Sequence, residues 1–119
     1  MVDEPALRRV VLALPGVHDA SGPKGFVFEV QGKGFAWSYL ERVAPKKPRQ
    51  PRRGVLAVRC PLDSKEMLIA AAPERFFDDE HYRGYPAVLV RLEAVDEDEL
   101  AGLLARAHAM VSQGTSGRR

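Results

Sequence analysis

The sequence predicts an α+β fold: a mainly antiparallel sheet with helices packed on one face, in the order helix-strand-strand-strand-helix-strand-helix. Three observations lead there. Residues 26–31 alternate apolar and polar positions and run through Gly32-Lys33-Gly34 into a second strand-like stretch at 35–40, the pattern of a hairpin. Apolar side chains recur at three- and four-residue spacing near both ends of the chain, the stripe of an amphipathic helix. Short connections between the runs favour antiparallel neighbours, with the helices gathered on one side. The chain has 119 residues, enough for one domain with its own core. We expect that domain at 1–112 and a disordered tail at 113–119, where the residues are small and polar.

The first helix is punctuated by Asp3 as a cap and Pro5 in the first turn, where a missing N–H costs nothing. Leu7, Val10, Val11 and Leu14 form its apolar stripe, and Arg8 and Arg9 are expected to face water. Leu14-Pro15-Gly16 ends it, because a proline disfavours helix at the residue before it. After a loop at 21–25, Phe26, Phe28 and Val30 share one side of the first strand. Phe35, Trp37 and Tyr39 are expected to share one side of the second. A third strand at 55–60 places Leu56, Val58 and Cys60 on one face, with Ala57 and Arg59 on the other. Asp63 and Glu66 have capping-box spacing at the start of a short helix that stops at Pro73. Residues 74–85 read as an irregular, aromatic-rich connection. The strand at 86–92 follows, with Val88, Val90 and Leu92 on one face. Asp96 and Glu99 repeat the capping box before a last helix that buries Leu100, Leu103, Leu104, Ala107 and Val111. The sheet face away from the helices is expected to be partly wet and to carry Glu29, Gln31, Arg59 and Arg91.

Composition narrows the function classes. The chain is 45% apolar and 29% charged, as in ordinary soluble globules. No apolar run approaches the ~18 residues of a membrane span, and the start lacks the basic and apolar regions of a signal peptide, so a cytoplasmic protein with no membrane partner is expected. Cys60 is the only cysteine, which excludes an internal disulfide, and it reads as a buried inert thiol. The formal charge is only +2, yet Arg42, Lys46, Lys47, Arg49, Arg52, Arg53 and Arg59 follow one another without an acidic residue between them. The rest of the chain is therefore net acidic. Such segregation points toward a phosphate-bearing polymer.

The run Leu14-Pro15-Gly16-Val17, the turn Gly32-Lys33-Gly34-Phe35-Ala36, the stretch from Phe76-Phe77-Asp78-Asp79-Glu80-His81-Tyr82-Arg83-Gly84-Tyr85-Pro86 to Val90-Arg91-Leu92, and the closing Asp96-Glu97-Asp98-Glu99-Leu100 resemble the MmcQ/YjbR family. They do so in the family's order and over nearly the whole chain. The resemblance implies a CyaY-like (frataxin-like) α+β fold. It also implies DNA binding, the label family members commonly carry, with a proposed double-wing motif and no enzymatic activity. The chain departs from the family pattern in the length and basicity of 46–53, so family roles are not carried onto that loop.

The candidate sites follow from the residues. A basic, proline-stiffened loop at 46–53 suits a wing that tracks a phosphate backbone, since its prolines favour extended geometry and limit the entropy lost on binding. The expected nucleic-acid-binding set is Lys33, Arg42, Lys46, Lys47, Arg49, Arg52, Arg53, Arg59 and Arg91, with largely non-sequence-specific DNA as partner. Trp37 is a candidate stacking residue; packed under helices it would be core instead. The alternatives are an acidic protein partner for the same loop, or a small-ligand pocket beside Trp37 and the 76–85 connection. Asp78, Asp79, Glu80 and His81 offer metal-type ligands in a row, but neighbours on an extended chain point in opposite directions. The frataxin-like comparison suggests iron through an acidic first helix, and here Asp3 and Glu4 are followed by Arg8 and Arg9. No metal or cofactor is expected. No phosphate loop, nucleophile elbow or His-Glu-x-x-His helix is present, so we expect a binding protein rather than an enzyme.

Overall fold

The computed structural model describes residues 1–23, 25–41 and 50–117; the side chains of 41, 50–53 and 114–117 also lie outside that description. Among these residues three α-helices and six strands appear in the order α1 (Glu4–Leu12), β1 (Val17–Asp19), β2 (Val27–Val30), β3 (Lys33–Glu41), β4 (Gln50–Arg59), α2 (Leu62–Ala71), β5 (Phe76–Phe77), β6 (Ala87–Arg91) and α3 (Glu97–Gly117), with a short 3-10 turn at Leu92–Ala94. The strands form one sheet in the order β1-β2-β3-β4-β6-β5, and every ladder is antiparallel. The predicted α+β class holds. Two short strands are additional: β1 forms from the end of the Pro15-Gly16 turn, and β5 from the start of the aromatic connection.

Capping chemistry sets the helix starts. Asp3 accepts from the Ala6 N–H at 3.0 Å, and Asp96 accepts from the Glu99 N–H at 2.7 Å, each satisfying a donor with no partner inside its helix. The capping box expected at Asp63 and Glu66 does not form. Helix α2 starts at Leu62 with Pro61 as its cap residue, which places Asp63 inside the first turn. Backbone of α3 remains helical to Gly117, past the expected boundary at 113.

The main core lies between the sheet and the helices α1 and α3. Phe28, Val30, Phe35, Leu56, Val58, Val88 and Val90 meet Leu7 and Val11 from α1 and Leu100, Leu103, Leu104, Ala107 and Val111 from α3. Burying each such large apolar side chain contributes roughly 1.5–3 kcal/mol, so this layer dominates the stability. Cys60 is buried at its edge, as expected. Burial pushes its thiol pKa up, partly offset by the nearby Lys65.

The hairpin turn is tighter than expected. Val30 pairs directly with Lys33, leaving Gln31 and Gly32 as the two turn residues, both at positive φ (54° and 78°), as a type I′ turn requires. A bulge follows: Glu29 pairs with Gly34 but Phe28 with Ala36, so Phe35 is the extra residue. Phe35 thereby turns into the helix-side core, edge-on to His108, while Trp37 and Tyr39 point to the other face. The expected sharing of one side by Phe35, Trp37 and Tyr39 is corrected by this bulge.

The second face is not simply wet. Tyr39, Val55, Ala57, Ala87 and Leu89 form a smaller core with Tyr82, flanked by Trp37 and Phe77. The connection between β5 and β6 supplies Tyr82 and covers this face. Arg59 and Arg91 lie half-buried against its rings, and Gln31 is in the turn rather than on a strand. Buried Lys65 ties that connection to α2. Its Nζ donates to the Tyr82 carbonyl at 2.7 Å, to the Tyr85 carbonyl at 3.0 Å, and to Asp78 at 3.0 Å.

Candidate functional site

The basic segment begins and ends on paired strands. Glu41 pairs with Gln50 and Leu40 with Pro51, so the third strand starts at Gln50 rather than at Val55. Ser38 pairs with Leu56, which leaves residues 52–54 as extra chain on β4, with Gly54 at φ +80°, a value only glycine adopts freely. Before Val55, β4 pairs with β3 alone among the described residues, since β6 matches only Val55 to Arg59. The Leu40–Glu41 and Gln50–Pro51 pairs therefore form a two-stranded ribbon at the sheet's rim. Arg42, Lys46, Lys47 and Arg49 lie outside the described residues, as do the side chains of Arg52 and Arg53.

The other candidate cations fall in different places. Lys33 is exposed at the hairpin tip, opposite Val30, and so leans toward the helix side of the sheet. Arg59 and Arg91 are on the opposite face. They sit four registers apart on the β4–β6 pair, about 13 Å along the strands. Arg59 Nε donates to the Gly34 carbonyl at 3.0 Å and a terminal nitrogen to the Tyr85 hydroxyl at 3.3 Å. Its guanidinium lies 5.3 Å from the Trp37 ring centre and 5.7 Å from that of Tyr85. Arg91 stacks 4.1 Å over Phe77. Neither arginine forms an ion pair with a carboxylate among the described residues.

Trp37 is half-buried, and its indole N–H donates to the Tyr82 hydroxyl at 2.9 Å. Together with His81, Tyr82 and Tyr85 it lines an open recess of about 420 Å³. This is the pocket position anticipated beside Trp37 and the aromatic connection. A larger recess of about 650 Å³ lies between the start of α1, the 21–26 loop and β4. Two of its charged side chains are already engaged: Asp3 caps α1, and Arg8 pairs with Asp19 while lying over Phe26 and Phe28. Arg8 thus faces water only in part, where the helix pattern expected it to face water outright.

Two members of the metal-type run are used in folding. Asp78 binds Lys65, and Asp79 accepts from the Tyr39 hydroxyl and the Tyr82 N–H. Among the described residues, no group of three or more His, Cys, Asp or Glu is placed to share a metal ion. His108 bonds to the Pro15 carbonyl at 2.6 Å, joining α3 to the turn after α1. Sequence reasoning missed Lys65 altogether. A lysine on the fourth position of a short helix reads as solvent-facing, and its carbonyl partners are unreadable without the path of the 78–86 chain.

The YjbR family model matches residues 12–110, from the end of α1 to the middle of α3. The chain belongs to the YjbR family. The crystal structure of Deinococcus radiodurans protein DR2400, which carries the domain DUF419, superposes with a TM-score of 0.66 at 22% identity. That match covers 92% of this chain and 78% of the other, and at this identity it shows a common fold. No curated protein matches the chain. Among the described residues, no helix of this YjbR protein is long and apolar enough to cross a membrane.

Proposed function

We propose that this YjbR protein is a cytoplasmic nucleic-acid-binding protein without catalytic activity, contacting the phosphate backbone through the basic segment from Arg42 to Arg53. The observation that carries this reading is the run of seven cations from Arg42 to Arg59 with no acid among them. The residues on either side of 42–49, Glu41 and Gln50, pair with each other at the sheet's rim, so both ends of that stretch are anchored at one place. Paired ends limit the chain entropy lost on binding, and three prolines at 45, 48 and 51 limit it further. Arg59 and Arg91 add charge on the second face, already desolvated in part by their aromatic neighbours.

Contacts of this kind position a protein on nucleic acid without reading its sequence. Helix α3 is not a recognition helix on this reading: its first turn carries Glu97, Asp98 and Glu99, which repel phosphate. The test replaces Lys46, Lys47, Arg49, Arg52 and Arg53 with Ser and measures binding of labelled duplex DNA at low salt. Binding should fall below detection while the melting temperature stays within a few degrees of wild type. Undiminished binding by the variant would refute the reading. Capture of an acidic protein by the same segment, with no DNA binding by wild type, would replace it.

A further inference from the structure

Trp37 is the chain's single tryptophan, and its ring is held before any ligand arrives by the bond from its N–H to Tyr82. Tyr85 stands edge-on to it at 6.4 Å between ring centres and is 40% exposed. Gly34 lies beside the indole, where a Cβ would stand in ordinary contact with Trp37 Cε3 at 3.5 Å. The recess they form with His81 and Tyr82 is about 420 Å³, within the roughly 300–1,000 Å³ of small-ligand pockets. Over the rings of Trp37 and Tyr85 lies Arg59, bonded to Gly34 and Tyr85 and free of any carboxylate among the described residues.

The geometry points to this recess as the seat of an unpaired nucleobase, stacked against Trp37 and Tyr85 with its adjoining phosphate at Arg59. The inference rests on the nucleic-acid reading above and adds to it a second, aromatic contact, separate from the segment from Arg42 to Arg53. An aromatic recess supplies stacking surface, which every base can use, and the arginine supplies charge for the group the base is attached to. A base in a duplex hides its faces in the helical stack. The recess therefore selects single-stranded or locally unpaired nucleic acid, whereas the basic segment accepts either form.

Trp37 provides the readout. A short oligothymidine strand and a strand of equal length built only of abasic sugar-phosphates are titrated into wild type at low salt. Tryptophan fluorescence and the anisotropy of a label on the strand are followed together. The thymidine strand should quench Trp37 and bind about tenfold more tightly, a margin in keeping with one stacked base. The abasic strand should bind through its phosphates and leave the fluorescence unchanged. Tyr85→Ala should bring the two strands to equal affinity. Equal affinity and equal fluorescence change for both strands in wild type would overturn the base site and leave phosphate contact standing. Failure of both strands to bind would overturn phosphate contact and the base site together.

Discussion

Arg8 reaches from α1 to Asp19 at the end of β1, with its guanidinium over the rings of Phe26 and Phe28. Asp19 also accepts from the Ser21 N–H at 3.0 Å. Bonds from Ser21, then the charge of Arg8, hold its carboxyl below the ordinary value of 3.8. A depressed carboxylate pKa contributes stability that is present above the ordinary value and lost as the pH falls through the folded one. Asp19→Asn should therefore lower the melting temperature at pH 7, and the gap to wild type should close as the pH is taken below about 4. A gap that persists at low pH would assign the effect to something other than charge. Helical periodicity gave Arg8 a solvent-facing position because it counts only neighbours on its own helix. Asp19 and Phe26 come to it from another strand and another loop, and no local pattern encodes that meeting.

Between elements, Lys65 is the tie that fixes the aromatic connection. One ammonium satisfies two carbonyls, those of Tyr82 and Tyr85, and the carboxylate of Asp78. Replacing it by Met preserves most of the volume but strips these acceptors of their donor, at a cost of about 2–4 kcal/mol. Urea unfolding of Lys65→Met should show that loss. Its Trp37 emission should shift to the red, because Tyr82 carries the partner hydroxyl of the indole. An unchanged spectrum would mean that the connection keeps its place without the lysine. The elements themselves were legible where periodicity is strong: the α1 and α3 stripes, the alternation around Phe28 and Val30, and the caps at Asp3 and Asp96. Less legible were the irregularities. The bulge at Phe35 reverses one side chain, and alternation alone carries no sign of it. Likewise β5 is two residues long, too short for any pattern to emerge.

Across the whole molecule, the two faces of the sheet do different work. One face is buried under α1 and α3 and supplies most of the stability. The other is covered only in part, by the 78–86 connection, and leaves Trp37, Tyr85 and Arg59 partly accessible beside one another. The family could be read from four short motifs in order, and the match over residues 12–110 agrees with that reading. The grouping of Arg59 with Trp37 and Tyr85 could not. It requires the β4–β6 register and the return of the chain after β5. The central claim is electrostatic contact with nucleic acid, and the salt dependence of DNA affinity tests it most directly. If about six basic groups each neutralise a phosphate, log affinity should fall linearly against log salt with a slope of about −5 for duplex DNA. A slope near zero, or no measurable affinity at low salt, would contradict the claim.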